Sequence, residues 1–185
     1  MTNLYFVRHA HSTYTPNERH RPLSERGKKE AAKVTDSLIE RNIEVVISSP
    51  YCRAIQTVEG IAQLIHKEIV LCENLKERTL STQPVKDFEQ AVRMVWENLD
   101  FKLSGGESNH EAQSRGVATI EQLLISYQGK HIAIGTHGNL LALILNYYDS
   151  CYDYHFWKSL DMPDVFQLTF KGFSLQDIKR VWQRE

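Results

Sequence analysis

The spacing of hydrophobic positions along the chain switches repeatedly between two periods. Leu4 to Val7 is a short apolar, β-prone run and predicts a strand. Residues 10 to 23 carry Pro16, Asn17 and Pro22 among polar neighbours and read as a loop. From Ser24, a fitting N-cap, a face of Ala31, Val34, Thr35, Leu38 and Ile39 recurs at helical spacing and predicts a helix to about Arg41, stopped by Asn42. Val45-Val46-Ile47 predicts a second buried strand. Ser49 suits an N-cap and Pro50 a first helical position, with Ala54, Val58, Ile61, Ala62 and Ile65 on one face of the helix behind them. Ile69 to Leu71 predicts a third strand, Leu75 to Pro84 is irregular, and a helix is expected over about Val85 to Leu99.

Gly105-Gly106 then interrupts the chain. Ser108 and Glu111 form a capping-box pair, predicting a helix to about Tyr127 that Gly129 ends. His131 to Gly135 predicts a fourth strand, and Asn139 to Tyr147 a helix apolar nearly all round and therefore buried. Val165 to Phe170 and Phe173 to Val181 predict late strands joined at Lys171-Gly172, antiparallel at the sheet edge. Strands alternating with helices imply one three-layer α/β/α domain over residues 1–185, with a doubly wound, mostly parallel sheet and an antiparallel edge. Periodicity leaves the order of the strands open.

Composition narrows the partners. The 185 residues are 42% hydrophobic and carry a net charge of -1, which gives no global basic excess for nucleic acid or an anionic membrane surface. The segment from Arg8 to Arg26 is locally basic. No secretory signal is expected at the N-terminus, and the most apolar stretch, Leu140 to Leu145, is too short to span a bilayer. Cys52, Cys72 and Cys151 are scattered and odd in number, so reduced thiols in a cytoplasmic protein are expected rather than a disulfide framework or a metal site.

Three strand-to-helix junctions carry polar groups that a plain turn would not need. They are Arg8-His9, Arg53 in the first turn after Pro50, and His137 before Gly138. Parallel strands bring such junctions to one edge of a sheet, where ligands bind. Helix N-termini and arginine forks there describe a phosphate pocket, with His9 as a candidate nucleophile. His9, His11 and His20 have no carboxylate or cysteine nearby in a ligand pattern, so no metal is expected. The aromatic residues Tyr147, Tyr148, Tyr152, Tyr154, Phe156 and Trp157 are expected to be core and packing.

The segment Leu4-x-x-Val-Arg-His-Ala-x-Ser12 resembles the Arg-His-Gly signature of the histidine phosphatase superfamily, the phosphoglycerate mutase-like family. Pro22-Leu-Ser-x-x-Gly27, Ser48-Ser-Pro-x-x-Arg-Ala-x-x-Thr57, Leu75-Lys-Glu77, Gly105-Gly-Glu-Ser108 and Thr136-His-Gly138 are similar to that family in the same order. The resemblance implies that His9 attacks phosphorus to form a phosphohistidine that water hydrolyses. It implies that Arg8, Arg53 and His137 hold phosphoryl oxygens, and that Ser12, Thr15, Gly138 and Asn139 line the phosphate site. Glu77 would protonate the leaving oxygen, a role open to a neutral carboxyl beside a phosphate dianion. No cofactor or metal is implied. The partner would be a small phosphorylated metabolite, and the protein a monomer or homodimer.

Ala10 stands where the family has glycine, the usual asparagine after the signature has no clear match near Thr15, and the glycine-rich segment after the acid is absent. Glu107 and Ser108 are read either as caps or as site-facing groups. Leu75-Lys-Glu-Arg78 and His137-Gly-Asn139 are similar to the mutase branch, but the short chain leaves no room for that branch's insertions, which favours a phosphatase. Mutase-type phosphoryl transfer and a non-catalytic phosphate-binding module are the alternatives.

Overall fold

The computed structural model describes residues 1–183. Strands β1 (Thr2–Arg8), β2 (Val45–Ser48), β3 (Ile69–Leu71), β4 (His131–Thr136), β5 (Asp164–Lys171) and β6 (Ser174–Arg180) form one sheet in the order β3-β2-β4-β1-β5-β6. The first four in that order are parallel, while β5 and β6 are antiparallel at one edge. Helices α1 (Glu25–Leu38) and α2 (Cys52–Leu64) cover one face, and α4 (Asn109–Ser126) and α5 (Gly138–Tyr148) the other. Two shorter helices, α3 (Phe88–Glu97) and α6 (Tyr154–Ser159), complete the set.

Side-chain alternation on β1 shows why the sheet lies between two layers. Leu4 and Phe6 pack with the α4 and α5 side chains, whereas Tyr5 and Val7 pack with Val34, Val58 and Ile61 of α1 and α2. In α5, every residue from Gly138 to Leu145 is buried, in keeping with its all-round apolar sequence. Among the described residues, no helix is long and apolar enough to cross a membrane.

The elements follow the sequence pattern with four corrections. Ser49 does not cap α2, because its amide continues the β2 ladder to the Gly135 carbonyl at 2.8 Å; Tyr51 is the N-cap and α2 starts at Cys52. The predicted α1 closes in a 3-10 turn over Ile39–Arg41, which rotates Ile39 out of the apolar face and leaves it 53% exposed. Asn42, at φ 53°, ends that turn in the left-handed region. Helix α3 begins only at Phe88, after Asp87, whose side chain accepts from the Gln90 amide. Helix α6 is additional; it is capped by Asp153 and tucks Tyr154 inward, while Tyr147 stands 56% exposed rather than in the core.

Candidate active site

The carboxyl ends of β1, β4 and β2 lie side by side, with Arg8 in register with Thr136 and Ser48 with Gly135. The chain leaves all three strands at that edge, so His9, Ser49 and His137 become neighbours. His9 and Ser49 even extend the ladders, through His9 N to Thr136 O at 3.0 Å and Ser49 N to Gly135 O at 2.8 Å.

The His9 ring is held at both nitrogens. Its Nδ1 lies 2.8 Å from the Ala10 carbonyl, and Arg53 Nε donates to its Nε2 at 3.1 Å. A carbonyl can only accept and a guanidinium can only donate. The proton therefore sits on Nδ1, and Nε2 presents a lone pair. Burial, then electrostatic coupling to the neighbouring His137 and the positive charge of Arg53 and Arg8, holds His9 well below the usual histidine range, against the opposing pull of the Ala10 carbonyl.

Ala10 is fully buried with Leu23 and Ala31, and its amide donates to Thr57 Oγ1 at 3.0 Å. Among the described residues, the positive-φ non-glycine residues are Asn42 and His66, so the backbone at Ala10 makes no demand for glycine. Thr57 in turn donates to the Arg53 carbonyl, tying α2 to the loop that follows β1.

His137 is fully buried and caps α5. Its Nε2 lies 2.7 Å from Ser49 Oγ, its Nδ1 is buried without a partner, and its ring meets that of His9 edge-on at 5.3 Å. Burial, with the charges of Arg53, Arg115 and Arg8, holds it well below the usual range as well. Ser49 carries no conspicuous sequence signal beyond its place in the Ser48-Ser-Pro run.

Arg8 Nη1 donates to the carbonyls of Leu160 and Asp161, each at 3.1 Å, while its Nε has no partner. Burial lowers its pKa, offset by the charges of Glu77, Asp164 and Asp161. The guanidinium packs over the start of α5 so closely that a Cβ on Gly138 would lie 2.8 Å from Arg8 Nε. Gly138 thus makes room for an arginine as well as lining a helix N-terminus.

Arg53 gives one guanidinium nitrogen to His9 and the other two to Glu18, through the carbonyl at 2.9 Å and the carboxylate at 2.9 Å. Arg53 is buried, and the Glu18 side chain is half exposed. Glu18 carries no sequence signal, because it sits in an irregular polar loop with no pattern to mark it.

Glu77 reaches the same place from the irregular segment after β3. Its carboxylate accepts from Asn139 N at 3.1 Å, Leu140 N at 3.0 Å and Arg78 N at 2.8 Å, and Asn139 Nδ2 lies 3.4 Å away. It therefore occupies the N-terminus of α5, a site built for an anion. The segment around it is clamped by Glu107 and Arg115. Glu107 accepts from Thr79 N at 3.0 Å and from Arg115 Nε at 2.7 Å, and Arg115 donates to the carbonyls of Asn74 and Lys76. Gly106 permits the close approach, since a Cβ there would lie 2.2 Å from the Leu80 carbonyl. Ser108 and Glu111 form the α4 capping box, so Ser108 is a cap and Glu107 a brace behind Glu77.

Of the predicted site residues, Arg8, His9, Arg53, His137, Gly138, Asn139 and Glu77 converge. Ser12 and Thr15 do not join their hydrogen-bond network: Ser12 bridges to Leu23, and Thr15 Oγ1 donates to the Asn17 carbonyl. His11 bonds Ser24, away from His9. Among the described residues, no group of three or more His, Cys, Asp or Glu could hold a metal ion.

The family described as "Histidine phosphatase superfamily (branch 1)" matches residues 4–174. The chain is 24% identical over 159 residues to a probable phosphoglycerate mutase GpmB of Escherichia coli O1:K1, covering 79% of this chain and 74% of that protein. It is 27% identical over 154 residues to phosphoserine phosphatase 1 of Hydrogenobacter thermophilus, covering 74% and 71%. A mycobacterial glucosyl-3-phosphoglycerate phosphatase has a similar structure, with a TM-score of 0.76, 20% identity and 96% of each chain covered.

Proposed function

The chain belongs to the histidine phosphatase superfamily, and from that footing we propose that it hydrolyses phosphomonoesters of small metabolites through a phosphohistidine on His9, without a metal. The observation that carries this reading is the fixed tautomer of His9, which presents a neutral Nε2 lone pair among Arg8, Arg53 and His137. An imidazole held neutral by burial and cationic neighbours is a nucleophile near neutral pH.

In the proposed reaction the substrate phosphoryl group displaces Arg53 Nε from His9 Nε2. Nε2 attacks phosphorus, the ester P–O bond breaks, and the leaving oxygen takes a proton from Glu77, which acquires that proton from the monoanionic ester on binding. Water then attacks the phosphohistidine and gives a proton to Glu77 as the N–P bond breaks, releasing phosphate. Arg8, Arg53 and the His137 Nδ1–H group bear the charge on the equatorial oxygens. Gly138 and Asn139 complete the pocket's lining. The three free cysteines fit a reducing compartment, so we place the protein in the cytoplasm.

The test is turnover of p-nitrophenyl phosphate and a panel of phosphometabolites in EDTA, beside the His9→Ala variant. Wild type is expected to release phosphate and to acquire an acid-labile phosphate on quenching, and His9→Ala to do neither. No turnover and no labelled wild type would sink the enzyme reading. Isomerisation of 3-phosphoglycerate that depends on 2,3-bisphosphoglycerate would turn it into a mutase.

A further inference from the structure

Arg8 has a second surface beside its contacts with the phosphate edge. It forms one wall of a cavity of about 300 Å³, otherwise lined by Phe88, Glu89, Trp157, Lys158 and Leu160. The cavity is built by the first turn of α3 and the end of α6. The Leu160 and Asp161 carbonyls that hold Arg8 Nη1 pin the end of α6 against the site. Whatever fills this space lies against the arginine that would hold the phosphoryl group.

Phe88, Trp157 and Leu160 give the cavity an apolar wall. Phe88 is large, apolar and 58% exposed, and Trp157 is partly buried beside Leu160. The one cation on the wall besides Arg8 is already matched: Lys158 Nζ lies 2.6 Å from Glu89, which also accepts from Tyr154 OH at 3.3 Å. A carboxylate entering the cavity would find Lys158 already paired and Arg8 Nη1 engaged by the Leu160 and Asp161 carbonyls, and would approach Glu89. An uncharged apolar group would bury its own surface and that of Phe88 and Trp157.

We propose that this cavity receives the leaving-group end of the substrate and selects phosphomonoesters whose alcohol is uncharged and apolar, of about the size of a benzyl group, over small phosphorylated acids. The proposal rests on the phosphatase reading above and adds the substrate class.

Binding and turnover test it separately. Calorimetry on the full chain would compare two non-hydrolysable probes, benzylphosphonate and 3-phosphonopropionate. Steady-state kinetics would compare 2-phenylethyl phosphate with phosphoserine, both esters of alkyl oxygens. Benzylphosphonate is expected to bind at least about ten-fold tighter, and kcat/KM to favour the phenylethyl ester by a similar ratio, from the apolar area buried. Phe88→Ala, at an exposed position on the first turn of α3, and Trp157→Ala are each expected to cut the binding ratio to about three-fold or less. Equal or tighter binding of the carboxylate probe overturns the proposal, as does a ratio that survives both substitutions. If the benzyl preference appears but no ester is hydrolysed, the phosphatase reading fails and the cavity keeps its ligand. If esters are hydrolysed without the preference, the cavity assignment alone fails.

Discussion

Ser49 sets the tautomer of His137. Its Oγ is fully buried, already accepts the Tyr51 amide at 3.2 Å, and lies 2.7 Å from His137 Nε2. A buried hydroxyl hydrogen needs an acceptor, and Nε2 is the one its hydrogen bonds provide. The imidazole proton is thereby left on Nδ1, the ring nitrogen that has no protein partner. A donor is thus held ready for a phosphoryl oxygen by a residue that need not touch the substrate. Ser49→Ala is expected to lower kcat/KM about ten-fold, the scale of one hydrogen bond in a transition state, and Ser49→Thr to recover part of it. Ring nitrogen NMR shifts check the cause: His137 should be protonated at Nδ1 in wild type and lose that preference in Ser49→Ala. An Nε2-protonated wild type would defeat the assignment.

Gly138→Ala should separate stability from activity. The added Cβ would meet Arg8 Nε at 2.8 Å and Cζ at 2.9 Å. Those atoms are the far end of a flexible side chain, so the fold can yield by moving the guanidinium. The displaced arginine would then no longer face the proposed phosphoryl position. We expect a loss in kcat/KM of about ten- to a hundred-fold, in line with a misplaced charged donor, with a small change in Tm. A variant of full activity would show that Arg8 is not held where the mechanism needs it.

Glu18 competes for the arginine that would bind phosphate. Its carboxylate takes Arg53 Nη2 at 2.9 Å, and its half-exposed side chain is free to leave. Glu18→Gln keeps the size and removes the negative charge beside a site for a dianion. KM for a phosphomonoester is expected to fall about three- to ten-fold, as one screened charge at short range allows. Competitive inhibition by inorganic phosphate should strengthen in parallel. A rise in KM would mean that Glu18 positions Arg53 rather than competing with the ligand.

Acid should weaken the fold through the two buried histidines. Burial first, and then cationic neighbours, lowers both His9 and His137 in the folded protein. Above the unfolded pKa of about 6.5 both states are neutral there and the groups contribute no pH dependence. As pH falls below that value the unfolded chain takes up protons that the folded chain refuses, and stability drops until the lower folded pKa is reached. Urea unfolding at pH 7.5 and 5.5 checks this against His137→Asn. Wild type should lose about 1.4 kcal/mol more than the variant over that interval. Parallel losses would show that His137 is not held neutral.

Much of the architecture follows from residue order alone. The switch between β and helical spacing marks the strands and helices, because burial on two sheet faces or one helix face demands those periods. Arg8, His9, Arg53 and His137 could be picked out because each breaks an apolar run at a junction, and Glu77 because the ordered motifs around it resemble a family. Gly106 and Gly138 are legible as glycines but not as explanations: only the fold shows that one makes room for the Leu80 carbonyl and the other for Arg8.

Three features had to wait for the tertiary structure. The strand order β3-β2-β4-β1-β5-β6 depends on which edges pair, and local spacing does not encode partners far along the chain. Ser49, Glu18 and Glu107 act through long-range contacts that bridge 88, 35 and 28 positions, with no periodic signature. Ala10, a departure from the family's glycine, is reconciled only once its backbone is seen to avoid positive φ and its methyl to pack on Leu23 and Ala31. Residue type and spacing therefore determined which chemistry this chain carries to one sheet edge. The tertiary structure decided which nitrogen of each histidine faces the pocket, because proton positions are set by neighbours that only folding brings together.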